Sequence, residues 1–154
     1  YTLEDAYEMM LEIGKICQLE TKAKELVERI KQNFKTQFTA LDKNKTAIYL
    51  IWNEPLMACG KHTFIDDLLN RFGLKNYYAE EERYPLCVPE NIDKVDYILL
   101  SSEPFPFNES HKKVMETKFP NSKIIFVSGE MFSWYGSHLE KVPNYFSELK
   151  SEFD

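Results

Sequence analysis

AIYLIWNEPLMACGKHTFIDDLLNRFG, residues Ala47 to Gly73, decides the fold, because strand, loop and helix signals follow one another without a gap. Ala47 to Ile51 is a short continuous apolar run, the pattern of a strand covered on both faces in a parallel sheet. Trp52-Asn53-Glu54-Pro55 ends it: Pro55 has no N–H for a sheet ladder and restricts Glu54 before it. Ala58-Cys59-Gly60 is a small-residue turn that lets the backbone pass close to a neighbour. Thr63 and Asp66 form a T-x-x-D capping box, and Phe64, Ile65, Leu68, Leu69 and Phe72 give the apolar face of a helix that Gly73 stops. This order puts Trp52 to Lys61 at the carboxyl end of a strand, where open α/β sheets bind ligands.

Outward from that unit, the chain predicts an alternation of helices and strands. Residues 2–16 read as a helix opened by a Thr2-x-x-Asp5 capping box, with Ala6, Met9, Met10, Ile13 and Ile16 on one side and Gly14 weakening the last turn. A longer amphipathic helix runs from about Glu20 to the Phe38 region, with Ala23, Leu26, Val27, Ile30 and Phe34 at helical spacing. Residues 39–45 form a polar linker. After Gly73, residues 74–85 show no period and read as irregular. Pro89 and Glu90 open a short helix to Lys94, Val95 to Leu100 is a second buried strand, and two prolines keep Ser101 to Phe107 irregular. Asn108 caps a helix that ends before Pro120, and Lys123 to Val127 is the third strand. Ser128 to Gly136 reads as a loop, and a closing helix starts near Ser137 with Pro143 as a kink or break. Three strands alternating with helices predict an α/β fold with a parallel sheet and right-handed crossovers, its three strand-end loops opening on one edge.

With 154 residues the chain is one domain's worth, long enough to bury about 68–70% of its unfolded surface. The formal charge of -6 leaves no basic stripe for phosphates and argues against nucleic-acid binding. Cys17, Cys59 and Cys87 lack zinc or redox spacing, and no apolar run is long enough to span a bilayer. No stretch of the sequence reads as a signal peptide, and since the chain opens without Met, straight into a helix, it is expected to begin inside a longer product.

His62, His111 and His138 are scattered without metal-ligand spacing and read as surface histidines, so no metal site is expected. Cys59 and Glu54 are the residues a small α/β enzyme would use, but Cys59-Gly60-Lys61-His62 lacks an oriented third partner. Gly60-Lys61 lacks the surrounding residues of a phosphate-binding loop. What remains is a set of aromatic and apolar residues on loops: Trp52, Met57, Tyr84, Phe105, Phe107, Phe132, Trp134 and Tyr135. Rings at the mouth of a sheet suit a large, partly flat ligand, and equally suit packing under their own loops. Glu90 has a plain reading too, as an acid near the positive end of a helix dipole.

Trp52-Asn53-Glu54-Pro55 with Gly60 to Ile65, Tyr84-Pro85 with Glu90, Tyr97 to Phe107 and Gly129 to Ser137 together resemble the carboxyl-terminal lobe of the helical-backbone periplasmic binding proteins of ABC importers. The S-E-P-F-P-F and S-W-Y-G-S runs are most similar to cobalamin and iron-chelate receptors. The resemblance implies a three-layer α/β lobe at residues 45–154, with a short parallel sheet flanked by helices. Residues 1–44 would then be a helical pair that includes the long connector between two lobes. It implies a non-enzymatic, monomeric receptor found in the periplasm or at the cell surface. Its cargo would be cobalamin, a ferric siderophore or haem, with no intrinsic cofactor. Trp52, Met57, Tyr84, Phe105, Trp134 and Tyr135 would touch ligand, and Glu90 would dock onto the importer's membrane subunits. The family's amino-terminal lobe has no counterpart in this sequence. A small α/β enzyme and an acidic protein-interaction domain are the alternatives to that receptor.

Overall fold

The computed structural model describes residues 1–41 and 44–153; Asp42 and Lys43, in the middle of the expected linker, and Asp154 lie outside the described residues. In chain order the elements are α1 (Leu3–Ile16), α2 (Glu20–Thr36), β1 (Thr46–Trp52), β2 (Met57–Ala58), α3 (Phe64–Phe72), β3 (Lys75–Asn76), β4 (Tyr97–Ser101), α4 (Glu109–Lys118), β5 (Lys123–Val127), α5 (Gly129–Ser133) and α6 (Val142–Leu149). Single 3₁₀ turns occupy Pro89–Asn91, Ser137–Glu140 and Lys150–Phe153.

The three anticipated strands β1, β4 and β5 are parallel and adjacent, with Leu50 opposite Leu100 and Leu100 opposite Phe126. The sheet is larger than the sequence predicts. Past Pro55 the chain doubles back, so β2 runs antiparallel along the upper part of β1 while β3 pairs parallel with its first residues. Residues 81–85, the end of the segment expected to be irregular, lie with Cys87 beside the β2 segment: Ala58 N–H donates to the Pro85 carbonyl at 3.0 Å, Cys87 N–H to Leu56 at 2.8 Å and Gly60 N–H to Arg83 at 2.7 Å. These bonds cover an edge that would otherwise expose unpaired backbone groups.

Alternate residues of the apolar strands face opposite layers. Ala47, Tyr49, Ile51, Tyr97, Leu99, Ile125 and Val127 share one core with Phe72, Phe132, Phe146 and the inner faces of α1 and α2. Ile48, Leu50, Ile98, Leu100 and Ile124 share the other with Met115, Phe107 and Phe119. Helix, sheet and helix therefore form three layers, as the continuous apolar runs require.

Several local expectations change. The buried stripe of α1 is Leu3, Ala6, Tyr7, Met10 and Gly14, which keeps Ala6 and Met10 of the anticipated face and leaves Ile13 and Ile16 exposed. Helix α2 ends at Thr36, short of Phe38. The helix expected at 89–94 shortens to a 3₁₀ turn at Pro89–Asn91, and the second strand starts at Tyr97 and takes in Ser101. Ser128 to Gly136 is not all loop, because α5 forms within it. Pro143 marks a break rather than a kink: the closing element is a 3₁₀ turn at Ser137–Glu140 followed by α6, and Pro143 sits in the first turn of α6, where a helix has no use for its missing N–H.

Candidate ligand-binding face

The loops after β1, β4 and β5 leave the sheet at its carboxyl edge, and backbone and side-chain bonds stitch them together. The first two turn at Glu54-Pro55 and Glu103-Pro104, both cis. Trp52 is half out of the protein, with its indole N–H donating to the Glu54 carbonyl at 3.0 Å. Its ring meets Phe105 edge-on at 5.7 Å, and Phe105 rests on Phe107 at 4.8 Å and on His111 at 5.0 Å. Phe107 is buried, so this row is anchored in the second core.

The third loop is held from beneath. Gly129 N–H donates to Ser102 Oγ at 2.9 Å, and the Ser133 hydroxyl lies 3.3 Å from a Glu103 carboxylate oxygen. A Cβ on Gly129 would come within 2.4 Å of Glu103 Cγ, so glycine is what lets α5 sit against the neighbouring loop. Helix α5 then delivers Trp134 and Tyr135 to the edge, 49% and 57% exposed. The Tyr135 ring packs on Phe64 at 5.5 Å, and the two line a cavity of about 290 Å3 with Tyr1, Asp5 and Met9.

Tyr84 stands on the segment beside β2. The Arg83 guanidinium lies over its ring at 5.7 Å and over the Tyr1 ring at 5.3 Å, while Arg83 Nη1 donates to the Tyr1 hydroxyl at 3.1 Å. Met57 is half-buried, packed against the first core and bridged to Leu86. Of the six residues singled out for ligand contact, ring contact joins one pair, Trp52 and Phe105; Tyr84 links to Tyr135 through Arg83, Tyr1 and the cavity. Glu90 is exposed on the 3₁₀ turn at Pro89–Asn91, away from these rings in sequence.

The sequence profile described as periplasmic binding protein matches residues 2–124. The chain belongs to that family. Comparison with curated protein sequences gives no match. Among solved structures, a possible iron-binding periplasmic solute-binding protein of Staphylococcus epidermidis superposes with a TM-score of 0.77 at 19% identity, covering 98% of this chain and 62% of that one. An ABC-type Fe3+-hydroxamate transport system protein of Saccharomonospora viridis gives 0.70 at 20% identity, covering 95% and 56%. The periplasmic haem-binding protein BhuT, solved with two haems, gives 0.81 at 12% identity, covering 98% and 63%. At these identities the likeness is one of fold. The chain spans 62%, 56% and 63% of the length of these three structures.

The two residues of the enzyme alternative sit in different surroundings. Cys59 is fully buried, shares a 3.2 Å bond with Thr63 Oγ1, and burial pushes its thiol up to about 12, so little thiolate exists at neutral pH. Cys59 would thus have to act from within the core, while Glu54 is exposed on its loop. Among the described residues no three His, Cys, Asp or Glu side chains gather in a metal-holding group. Nor is any helix among them long and apolar enough to cross a membrane.

The histidines differ from the surface reading in one case. His62 is exposed against Glu82 at 3.0 Å, and His111 Nδ1 accepts the Asn108 N–H at 3.1 Å, closing the cap of α4. His138 is mostly covered, its ring 5.5 Å from Trp134 and its Nε2 3.9 Å from Glu130. Sequence reasoning did not give Tyr1, Arg83 or His138 a place here, because each reaches the face through tertiary contact. Phe64 was legible only as one apolar residue of a helix.

Proposed function

We propose that the chain is the ligand-capturing lobe of a receptor that takes up a metal chelate outside the cytoplasmic membrane and hands it to an ABC importer. The observation that carries the reading is the row of exposed rings at the carboxyl edge of the sheet: Trp52, Tyr84, Trp134 and Tyr135 are 41%, 43%, 49% and 57% exposed. Large rings left in water by a protein with two well-filled cores favour a partner that covers them. Two of the similar structures point to such cargo by name, an Fe3+-hydroxamate transport protein and a haem-binding protein solved with two haems. Cobalamin belongs to the same class of cargo. Met57 and Phe105 would flank the ligand, and the exposed Glu90 would pair with cationic side chains of the importer's membrane subunits in a salt-sensitive contact.

Titration of the tryptophan fluorescence with haem, cyanocobalamin and a panel of ferric siderophores tests this. Saturable quenching by at least one chelate is expected, weakened roughly tenfold or more when Trp134 and Tyr135 are both replaced by Ala, in keeping with aromatic anchors at a binding face. Glu90→Lys should leave that titration unchanged and abolish low-salt capture of the importer's membrane subunits. No quenching by any chelate would overturn the receptor reading; capture that survives Glu90→Lys would remove the docking role.

A further inference from the structure

We infer that His138 is a positioning residue for Trp134: on protonation its imidazole closes onto Glu130, and the two side chains clasp the ends of the loop that carries Trp134 and Tyr135. The inference deepens the receptor reading above and rests on it where it makes capture at this face depend on pH. Among the described residues, His138 Nε2 is the buried side-chain nitrogen that has no hydrogen-bond partner. Such an atom calls for a reason, because burial strips it of water and returns nothing. Glu130 Oε2 stands 3.9 Å away, too far for a hydrogen bond. In the neutral ring Nε2 is therefore idle, whichever nitrogen carries the proton. An imidazolium has N–H donors on both nitrogens, and its bond to a carboxylate draws in to about 2.7–2.9 Å, so a shift of about 1 Å closes the gap. The Glu130 side chain that would make this shift is 45% exposed.

The same proton strengthens the ring contact, since the Trp134 and His138 rings are 5.5 Å apart, within reach of a cation–π attraction. Glu130 belongs to α5 and His138 to the 3₁₀ turn at Ser137–Glu140, so a bond between them spans Trp134, Tyr135 and Gly136. Gly136 sits at φ +88°, and a Cβ there would meet nothing within 4 Å, so packing does not brace the loop at that point. The other charged groups around this turn are occupied or set apart. Glu140 is held by Arg29 of α2 at 2.8 Å, and Glu103 of the second loop takes the Ser133 hydroxyl at 3.3 Å. Lys22 of α2 lines the groove that Gly136 and Ser137 share with Met9, Met10 and Ile13 of α1. Lys141 joins the turn to α6, whose Tyr145 hydroxyl accepts the Ser128 N–H at 2.8 Å. Glu130 is thus the acid within 4 Å of the imidazole among the described residues. A ring held in place loses less freedom when a ligand covers it, so the closed clasp raises affinity.

The first test needs no cargo and uses a Trp52→Phe protein, in which Trp134 is the sole tryptophan. Imidazole is the side chain that ordinarily changes charge between pH 5 and 8, and its protonated form quenches a neighbouring indole more than the neutral form does. Emission should therefore fall between about pH 8 and pH 5.5, and the fast local part of the anisotropy decay should shrink as the ring is pinned. His138→Gln should abolish both changes. Glu130→Gln should keep the emission change, because the imidazole still titrates beside the indole, and lose the anisotropy change, because nothing closes the clasp. A merely structural histidine would not give that split. With both tryptophans present, affinity for cyanocobalamin or a ferric trihydroxamate, each intact over this range, should be higher at the acid end by a factor of roughly 1.4–5, the worth of a partly exposed ion pair. Either variant should remove the difference. The inference is overturned if Trp134 emission and anisotropy are flat with pH, if either change persists in His138→Gln, or if the anisotropy change survives Glu130→Gln. Binding that is indifferent to pH overturns the link to capture. Failure of every chelate, haem included, overturns the receptor reading and that link with it, whereas the clasp itself stands or falls on the cargo-free measurements.

Discussion

Asp96 shows how one side chain fixes the start of the parallel sheet. It sits just ahead of β4, and one carboxylate oxygen accepts the Thr46 N–H at 2.8 Å and the Thr46 hydroxyl at 3.0 Å, while the other takes Lys45 Nζ at 3.1 Å. The Thr46 backbone bond, with Lys45 and the Thr46 hydroxyl adding to it, holds this carboxyl below its usual range despite partial burial. A carboxylate depressed in the folded state stabilises the fold above its unfolded value of about 3.9, and that stability is lost as pH falls through the folded value. Asp96→Asn keeps an acceptor but loses the charge, so about 1 kcal/mol should disappear near neutral pH. In urea unfolding the gap between the two proteins should narrow below about pH 4 and vanish once both carry a neutral side chain. A gap that is constant with pH would mean that Asp96 acts through shape alone.

Among the elements, the α1 and α2 pair depends on a residue whose sequence reading was purely negative. Gly14 is buried where the helices cross, and a Cβ there would come within 2.4 Å of Ala23 Cβ. Gly14→Ala gains roughly 1 kcal/mol of helix propensity and loses about 1–3 kcal/mol to overpacking, so the variant should be less stable by about 1 kcal/mol. In an Ala23→Gly background the same substitution should become neutral or stabilising; an unchanged cost in that background would show that the two residues do not clash. The case marks what a single sequence can convey. Thr2, Thr63 and Asn108 announce their helices because a cap is a local hydrogen bond, and β5 is legible to the residue because Lys123 and Ser128 bound a pure apolar run. Helix α5 was missed because its five residues carry no period, and it is held instead by Ser102 and Glu103 from another loop. The two edge strands β2 and β3, each of two residues, owe their pairing to β1 rather than to any pattern of their own. For the same reason the sequence marked Trp52, Phe105, Trp134 and Tyr135 as loop residues, while the contacts through Arg83 and Tyr1 that link Tyr84 to Tyr135 came only with the fold.

At the scale of the whole molecule, the division at residue 44 is open to a direct test, because the helical pair and the α/β lobe share one core. Val27 and Ile30 of α2 are buried together with Leu3, Ala6 and Met10 of α1 in the same cluster as Phe72, Phe132 and Phe146. Asn33 and Arg29 of α2 add bonds to Glu140, the first to its backbone carbonyl at 3.3 Å and the second to its carboxylate at 2.8 Å. A pair that buries its apolar stripe on the lobe gives up that burial if it detaches, so both parts should unfold in a single transition. Ile30 is fully buried, and Ile30→Ala should cost about 2–5 kcal/mol by leaving a cavity at this junction. Trp52 and Trp134 both lie on the lobe, so their fluorescence reports the sheet edge, while far-ultraviolet circular dichroism is weighted toward the long helices α1 and α2. If the core is shared, Ile30→Ala lowers the midpoint of both signals equally and they stay coincident. If the ellipticity transition moves to lower denaturant while the tryptophan transition stays in place, residues 1–44 form a separately melting unit, and the connector would be a hinge element rather than part of a rigid receptor lobe.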